Sequence, residues 1–238
     1  MIRLNKYISN SGVCSRREAD VLISEGKIKI NNQVVTALGT KVNKEDIVIY
    51  NGKTLKAENH KYILINKPKN CITTVKDTHE RKTVMDIIEG VCDERLYPVG
   101  RLDRDTTGLL LMTNDGELTT RLTHPSFGIK KKYVIQLENS IHPDSLKEMV
   151  KGIPLDDGEV KYDDVIYGRK QTDRTQLIVT LHSGKNRVIR RTMEYFDKTL
   201  LHLDRIEFAG IRKGNLQRGN WRFLDPKEVG YLKMTKSR

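Results

Sequence analysis

Gly100-Arg101-Leu102-Asp103-Arg104-Asp105-Thr106-Thr107-Gly108 runs directly into Leu109-Leu110-Leu111-Met112-Thr113 and stops at Asn114-Asp115-Gly116. A polar loop bounded by glycines thus feeds an unbroken apolar run that ends at turn residues, the pattern of a buried strand and its turn. Such a loop can present a carboxylate at the floor of a cleft. Arg101 and Arg104 flank Asp103, and their cations favour its charged form, available as a nucleophile or base. A surface loop laced with ion pairs has the same composition. Asp105 is a competing carboxylate that spacing does not exclude.

Outward from this stretch, residues 62–65 form a short apolar strand stopped by Lys67-Pro68, and 133–137, 177–181 and 206–208 are further strand candidates. Helices are predicted over 117–123, over 145–151 with Leu146, Met149 and Val150 inward, and over 187–196. Strands and helices do not alternate strictly, so the pattern predicts an α+β fold with a mixed, largely antiparallel sheet rather than a doubly wound one. A basic cluster, Gly184-Lys185-Asn186-Arg187-Val188-Ile189-Arg190-Arg191, opens the last helix. With Asn186 as N-cap, Val188, Ile189, Thr192, Met193 and Phe196 form a buried face, and Arg187, Arg190 and Arg191 fall together on another. That stripe can touch phosphates while one guanidinium reaches inward to a carboxylate. Lys130-Lys131-Lys132-Tyr133 sets three cations beside an aromatic, suited to stacking a base and holding its phosphates; a structural tyrosine at a strand start is the ordinary alternative.

The charge agrees with such a partner. Lys and Arg number 43 against 31 Asp and Glu, a net charge of +12, and the excess is clustered. Clustered cations gain affinity for polyanions by releasing counterions condensed on phosphates. The three cysteines are scattered and form no C-x-x-C, which argues against a disulfide framework or zinc site and fits a reducing cytoplasm. No apolar run approaches the roughly 18 residues of a membrane span, and the opening residues do not read as a signal peptide. Phosphate-loop, dinucleotide and H-E-x-x-H motifs are absent and the six histidines are dispersed, so neither metal nor cofactor is expected.

Residues 1–60 read as a separate module, ending in the polar stretch 56–60. Leu4 and Ile8 share one face of a short helix. Ser15-Arg16-Arg17-Glu18 is a capping-box pattern leading into the apolar stripe Ala19, Leu22 and Ile23, and Gly26 suits the C′ position. Short strands follow, with turns at Asn31-Asn32 and Asn51-Gly52. Arg16 and Arg17 occupy a first helical turn, where each cation costs about 0.3–1 kcal/mol against the macrodipole; there they can form a phosphate-docking surface. Arg3-Leu4-Asn5-Lys6-Tyr7-Ile8, Ser15-Arg16-Arg17-Glu18-Ala19 and Gly26-Lys27-Ile28-Lys29-Ile30-Asn31-Asn32 resemble the S4 RNA-binding domain. The resemblance implies RNA contacts from Arg3, Lys6, Arg16 and Arg17.

Lys67-Pro68-Lys69-Asn70-Cys71-Ile72-Thr73, the stretch from Gly100 to Gly116, Lys131-Lys132-Tyr133 and Gly184 to Arg191 together resemble the RsuA-like family of pseudouridine synthases, and the opening from Arg3 to Asp20 with Arg218-Gly219-Asn220-Trp221-Arg222 resembles its large-subunit ribosomal RNA branch. A family glycine is replaced by Asn70. The resemblance implies a catalytic domain over 61–238, no cofactor, and isomerisation of a flipped-out uridine in ribosomal RNA, with 23S RNA or a pre-ribosomal large subunit as partner. It places Asp103 as catalytic carboxylate, Tyr133 on the uracil, and Arg190 against Asp103. Arg101 helps fill the space left by the base. Lys67, Arg104, Lys131, Lys132, Arg187 and Arg191 are the other cations expected at the RNA, and a cytoplasmic monomer is expected. The rival readings are a non-catalytic S4-type assembly or rescue factor, a synthase for 16S or transfer RNA, and an aspartate-dependent glycosidase, for which no second carboxylate is marked.

Overall fold

The computed structural model describes residues 1–168 and 173–235, so 169–172 and 236–238, within the expected catalytic span, lie outside the described residues. The chain divides into two compact units. The first comprises Met1–Lys61 with the short segments Asp93–Arg95 and Asn114–Gly116; the second holds the remainder. Among the described residues no helix is long and apolar enough to cross a membrane.

In the first unit, helices α1 (Leu4–Asn10) and α2 (Arg16–Ser24) pack beside the short strands β1 (Ile2–Arg3) and β4 (Lys41–Val42), and β2 (Ile28–Ile30), β3 (Gln33–Val35), β5 (Val48–Tyr50) and β6 (Lys53–Thr54) form an antiparallel sheet in the order β3-β2-β5-β6. The capping box forms. The Ser15 hydroxyl accepts from the Glu18 amide at 3.3 Å, and the Glu18 carboxylate accepts from the Ser15 amide at 2.8 Å. Asn31, Asn32, Asn51 and Gly52 take positive φ, as two-residue hairpin turns require. Leu4, Ile8, Ala19, Ile23, Ile28, Val42, Val48 and Leu55 make the core, with Leu22 only partly buried against it. Arg3, Arg16 and Arg17 are exposed and Lys6 is half-buried.

The second unit is built on a nine-stranded sheet. Its main path runs β11 (Asp164–Tyr167), β12 (Gln176–Leu181), β10 (Lys131–Leu137), β13 (Leu200–Phe208), β9 (Thr107–Thr113), β7 (Tyr62–Lys67), β15 (Trp221–Phe223), with β14 (Ile211–Arg212) on β13 and β8 (Tyr97–Pro98) on β9. Among the described residues every pairing in this sheet is antiparallel except β9 with β13, so the sheet is mixed. Helices α3 (Gly116–Thr123), α4 (Pro143–Lys151), α5 (Val188–Tyr195) and α6 (Pro226–Lys233) complete it. Alternate residues of β7 and β9 enter different clusters: Ile63, Ile65, Leu110 and Met112 join the α4 and α5 side, while Tyr62, Leu64, Leu109 and Leu111 join the α3 and α6 side. Both faces of the centre are therefore covered, which is why these strands read as unbroken apolar runs. Each fully buried Leu or Ile there contributes roughly 1.5–3 kcal/mol.

Two local expectations change. Val150 is exposed, because α4 buries only Leu146 and Met149 as its inner stripe. Strand β13 begins at Leu200, well before residue 206. Its buried residues Leu203, Arg205 and Phe208 are spaced by two and then three, across a register irregularity opposite Lys132 and Tyr133. The bulge breaks the period-two signal. The parallel junction of β9 and β13 depends on Gly108, which has φ +107° and lies so close to Arg205 that a side chain would overlap the Arg205 carbonyl.

Candidate active site

A cleft of about 210 Å³ opens at the sheet centre. Val99 to Asp103 and Thr106 line it from one side. Opposite lie Ser183 to Arg190, at the start of α5, and its floor includes Lys131 and Tyr133 of β10 and Arg205 of β13.

The loop is braced from beneath. Strand β7 ends at Lys67, whose ammonium is fully buried and donates to the carbonyls of Pro68, Cys71 and Arg104 at 3.2, 2.7 and 3.2 Å. Burial brings this ammonium down to about 8. The Thr73 hydroxyl donates to the Leu102 carbonyl at 2.8 Å and accepts from the Leu102 amide at 3.2 Å. Asn70 takes φ +59°, a conformation asparagine tolerates, so the missing glycine leaves the turn intact. The expectation that Lys67 touches RNA is overturned: three carbonyls from two loops enclose it, and it ties them together.

Asp103 lines the cleft and Asp105 does not; Asp105 pairs with the exposed Arg104 at 3.5 Å. The flanking arginines are not the partners of Asp103. Arg190 Nε and Arg187 Nη1 approach its Oδ2 at 3.5 and 3.7 Å. These are ion-pair rather than hydrogen-bond distances, and Arg190 Nε has no hydrogen-bond partner while Nη2 reaches Thr106 Oγ1 at 3.3 Å. A half-exposed carboxylate between two guanidiniums, with room left beside it, can act on a ligand as base or nucleophile.

Helix α5 starts one residue later than predicted. Its N-cap is Arg187, not Asn186, in the left-handed region with φ 48° and without a side-chain cap. This costs a non-glycine residue about 1 kcal/mol or more; with Arg187 outside the helix, its side chain lies beside Asp103. The expected stripe of Arg187, Arg190 and Arg191 consequently does not exist. Arg191 grips Asp157 with two bonds of 2.9 and 3.0 Å and bonds the Asn186 carbonyl at 3.0 Å, so it braces the 155–159 turn and is not free for phosphates. Phe196 lies beyond the helix, partly buried.

Tyr133 is buried in the cleft floor; Arg101 is exposed at its rim. Lys131 turns inward, donating to the carbonyls of His182 and Ser183 at 3.0 and 3.3 Å, and burial with nearby Arg205 lowers it to about 8. Lys132 lies outside the lining. Sequence reasoning missed Thr106 and Arg205, both of which line the cleft.

Residues 61–195 match the family model described as RNA pseudouridylate synthase, and residues 2–48 match the S4 domain. An uncharacterized RNA pseudouridine synthase of Aquifex aeolicus is 40% identical over 233 residues, 97% of this chain and 93% of that one. Ribosomal large subunit pseudouridine synthase B of Bacillus subtilis is 40% identical over 237 residues, 98% of this chain and 96% of that one. A crystal structure of a pseudouridylate synthase superposes with a TM-score of 0.69 over 98% of this chain and all of the other, at 23% identity, which demonstrates a common fold.

Proposed function

The chain belongs to the RNA pseudouridylate synthase family, with an S4 domain ahead of the catalytic one, and from that premise we propose that it isomerises uridine in large-subunit (23S) ribosomal RNA with Asp103 as catalytic carboxylate. Isomerisation of uridine in RNA is its enzymatic class. The observation that carries the site assignment is the place of Asp103: in the cleft, between the Arg187 and Arg190 guanidiniums, above a floor holding Tyr133. Identity to the Bacillus subtilis enzyme across nearly the full length of both chains supports the ribosomal choice.

A uridine within a helix cannot reach a carboxylate recessed in a cleft, so the nucleotide has to leave its stack. In this reading Tyr133 packs on the extruded uracil, Arg101 at the rim helps fill the vacated space, and Arg190 holds Asp103. Arg187 serves the same carboxylate from a more exposed position. The exposed Arg3, Arg16 and Arg17, with Lys6, supply phosphate contacts from the S4 domain. The direct test is incubation with 23S transcripts carrying C5-tritiated uridine. Tritium should appear in water as C5 exchanges its hydrogen for the sugar; binding without release would leave only an RNA-binding protein.

Arg190→Ala should lower the single-turnover rate about 100-fold, the scale of losing one charge-assisted contact, while RNA affinity changes little. Arg187→Ala should lower the rate less and weaken binding in a salt-dependent way, being the more exposed cation. Equal, affinity-only losses in both would separate the arginines from the carboxylate and leave them as phosphate contacts.

A further inference from the structure

The cleft floor carries one buried cation, Arg205, and one half-buried cation, Lys131, that this mechanism leaves without a task. Lys131 and Tyr133 are alternate residues of β10, Arg205 is the β13 partner of Tyr133, and all three line the cleft. Arg205 is only 2% exposed. Its Nε donates to the Leu109 carbonyl at 2.7 Å, its guanidinium lies 4.7 Å from the Phe208 ring centre, and its buried Nη2 has no partner. Lys131 bonds only to carbonyls, and among the described residues neither cation has a carboxylate at ion-pair distance. The acid nearest Lys131 in effect, Asp163, is engaged by His182 Nδ1 at 3.1 Å. Like charges on a half-buried and a buried group repel, and an unsatisfied buried N–H costs roughly 1–3 kcal/mol. Fold stability alone would not select this pair. Negative charge arriving in the cleft would compensate both.

Arg101 and Arg187 are accessible at the cleft mouth, where phosphates of a bound strand can reach them. A guanidinium as recessed as that of Arg205 meets what enters deepest, which is the base. We propose that Arg205 and Lys131 hydrogen-bond the carbonyl oxygens of the uracil and stabilise the negative charge it carries while detached from the ribose. The proposal rests on the pseudouridine synthase reading above. When N1–C1′ breaks, its electron pair goes to N1, and the uracil anion spreads that charge to O2 and O4. The deficiency at C1′ is met by a bond from the Asp103 carboxylate, or by loss of the ribose C2′ proton to it. Rejoining reverses that step, C5 donates a pair to C1′, the C5 proton departs to solvent, and N1 takes up a proton, so the product is an isomer of the substrate. Charge on the base exists only between the two steps, so donors preset for it act on the barrier rather than on binding.

The test uses the full chain in single turnover on 23S RNA fragments bearing uridine or 5-fluorouridine at the modified position, with formation of the C1′–C5 bond as readout; the fluorinated adduct has no C5 proton to lose and is scored as its C6 hydrate. Fluorine stabilises the base anion by itself and lessens the need for help. Arg205→Met and Lys131→Met should each slow the uridine substrate about 100-fold, and the fluorinated one less than about 10-fold, with RNA affinity near wild type. Equal losses on both bases would make the residues structural and overturn the proposal. So would an unchanged rate, or a salt-dependent loss of affinity, which would mark a phosphate contact. If Arg205→Met does not fold, Lys131→Met carries the same comparison. Asp103→Asn, run in parallel, has to be inactive on both bases; activity there would fail the underlying reading instead, independently of the Arg205 result.

Discussion

Asp103→Asn should reduce turnover by about four orders of magnitude, ~5 kcal/mol of barrier, while RNA affinity and its salt dependence stay near wild type. The amide is nearly isosteric and leaves the Thr73 clamp and the Lys67 brace untouched, because both hold backbone atoms of the loop. What it removes is the negative charge facing Arg187 and Arg190. The phosphate-facing cations elsewhere are unaltered, so counterion release on binding is unchanged. Asp105→Asn is the matched control. That residue pairs with Arg104 outside the cleft, and its loss should leave the rate within a few-fold of wild type. Tritium release rates and filter-binding curves on the same transcripts check both. Substantial activity in Asp103→Asn, with a dead Asp105→Asn, would transfer the catalytic role to Asp105.

Gly108→Ala should be the most damaging single methyl in the second unit. Its left-handed φ strains any side-chain-bearing residue by about 1–3 kcal/mol. Overlap with the Arg205 backbone adds roughly 1–3 kcal/mol, because backbone held in a sheet cannot swing aside as a flexible side chain can. A total of about 2–6 kcal/mol is a large share of the 5–15 kcal/mol that typically holds a domain. Urea or thermal unfolding of the variant should therefore show the second unit lost or severely weakened. A midpoint within experimental error of wild type would mean that β9 and β13 can separate at this point without consequence.

Legibility in the sequence followed the range of the interactions. The Ser15–Glu18 box and the asparagine turns act within a few residues, and they stand in the structure where the sequence placed them. The covered strand β9 was readable because burial on both faces leaves no polar position. The site was legible only in parts. Asp103, Tyr133 and Arg190 sit in motifs and do meet at one cleft. The function of the brace below was hidden, since Lys67 depends on a carbonyl 37 residues away and a lysine in sequence reads as solvated. The behaviour of α5 was hidden as well. Whether Arg187 begins a helix or caps it from the left-handed region decides which way its guanidinium points, and periodicity treats the two cases alike. Arg205 was missed because the bulge in β13 removes the alternation that would have flagged an arginine at a buried position.

The edge strand β15 pairs with β7, the first strand of the second unit, through Phe223 with Ile63 and Trp221 with Ile65. The sheet is thus closed by almost its last residues on almost its first. Asp103, likewise, awaits Arg187 and Arg190 from far downstream. During synthesis the chain leaves the ribosome amino end first. The Asp103 loop therefore emerges long before the cations that complete its cleft, and the sheet stays open at one edge until residue 223 is out. A chain still being made therefore holds Asp103 without its two guanidiniums until residues 187 to 190 are out.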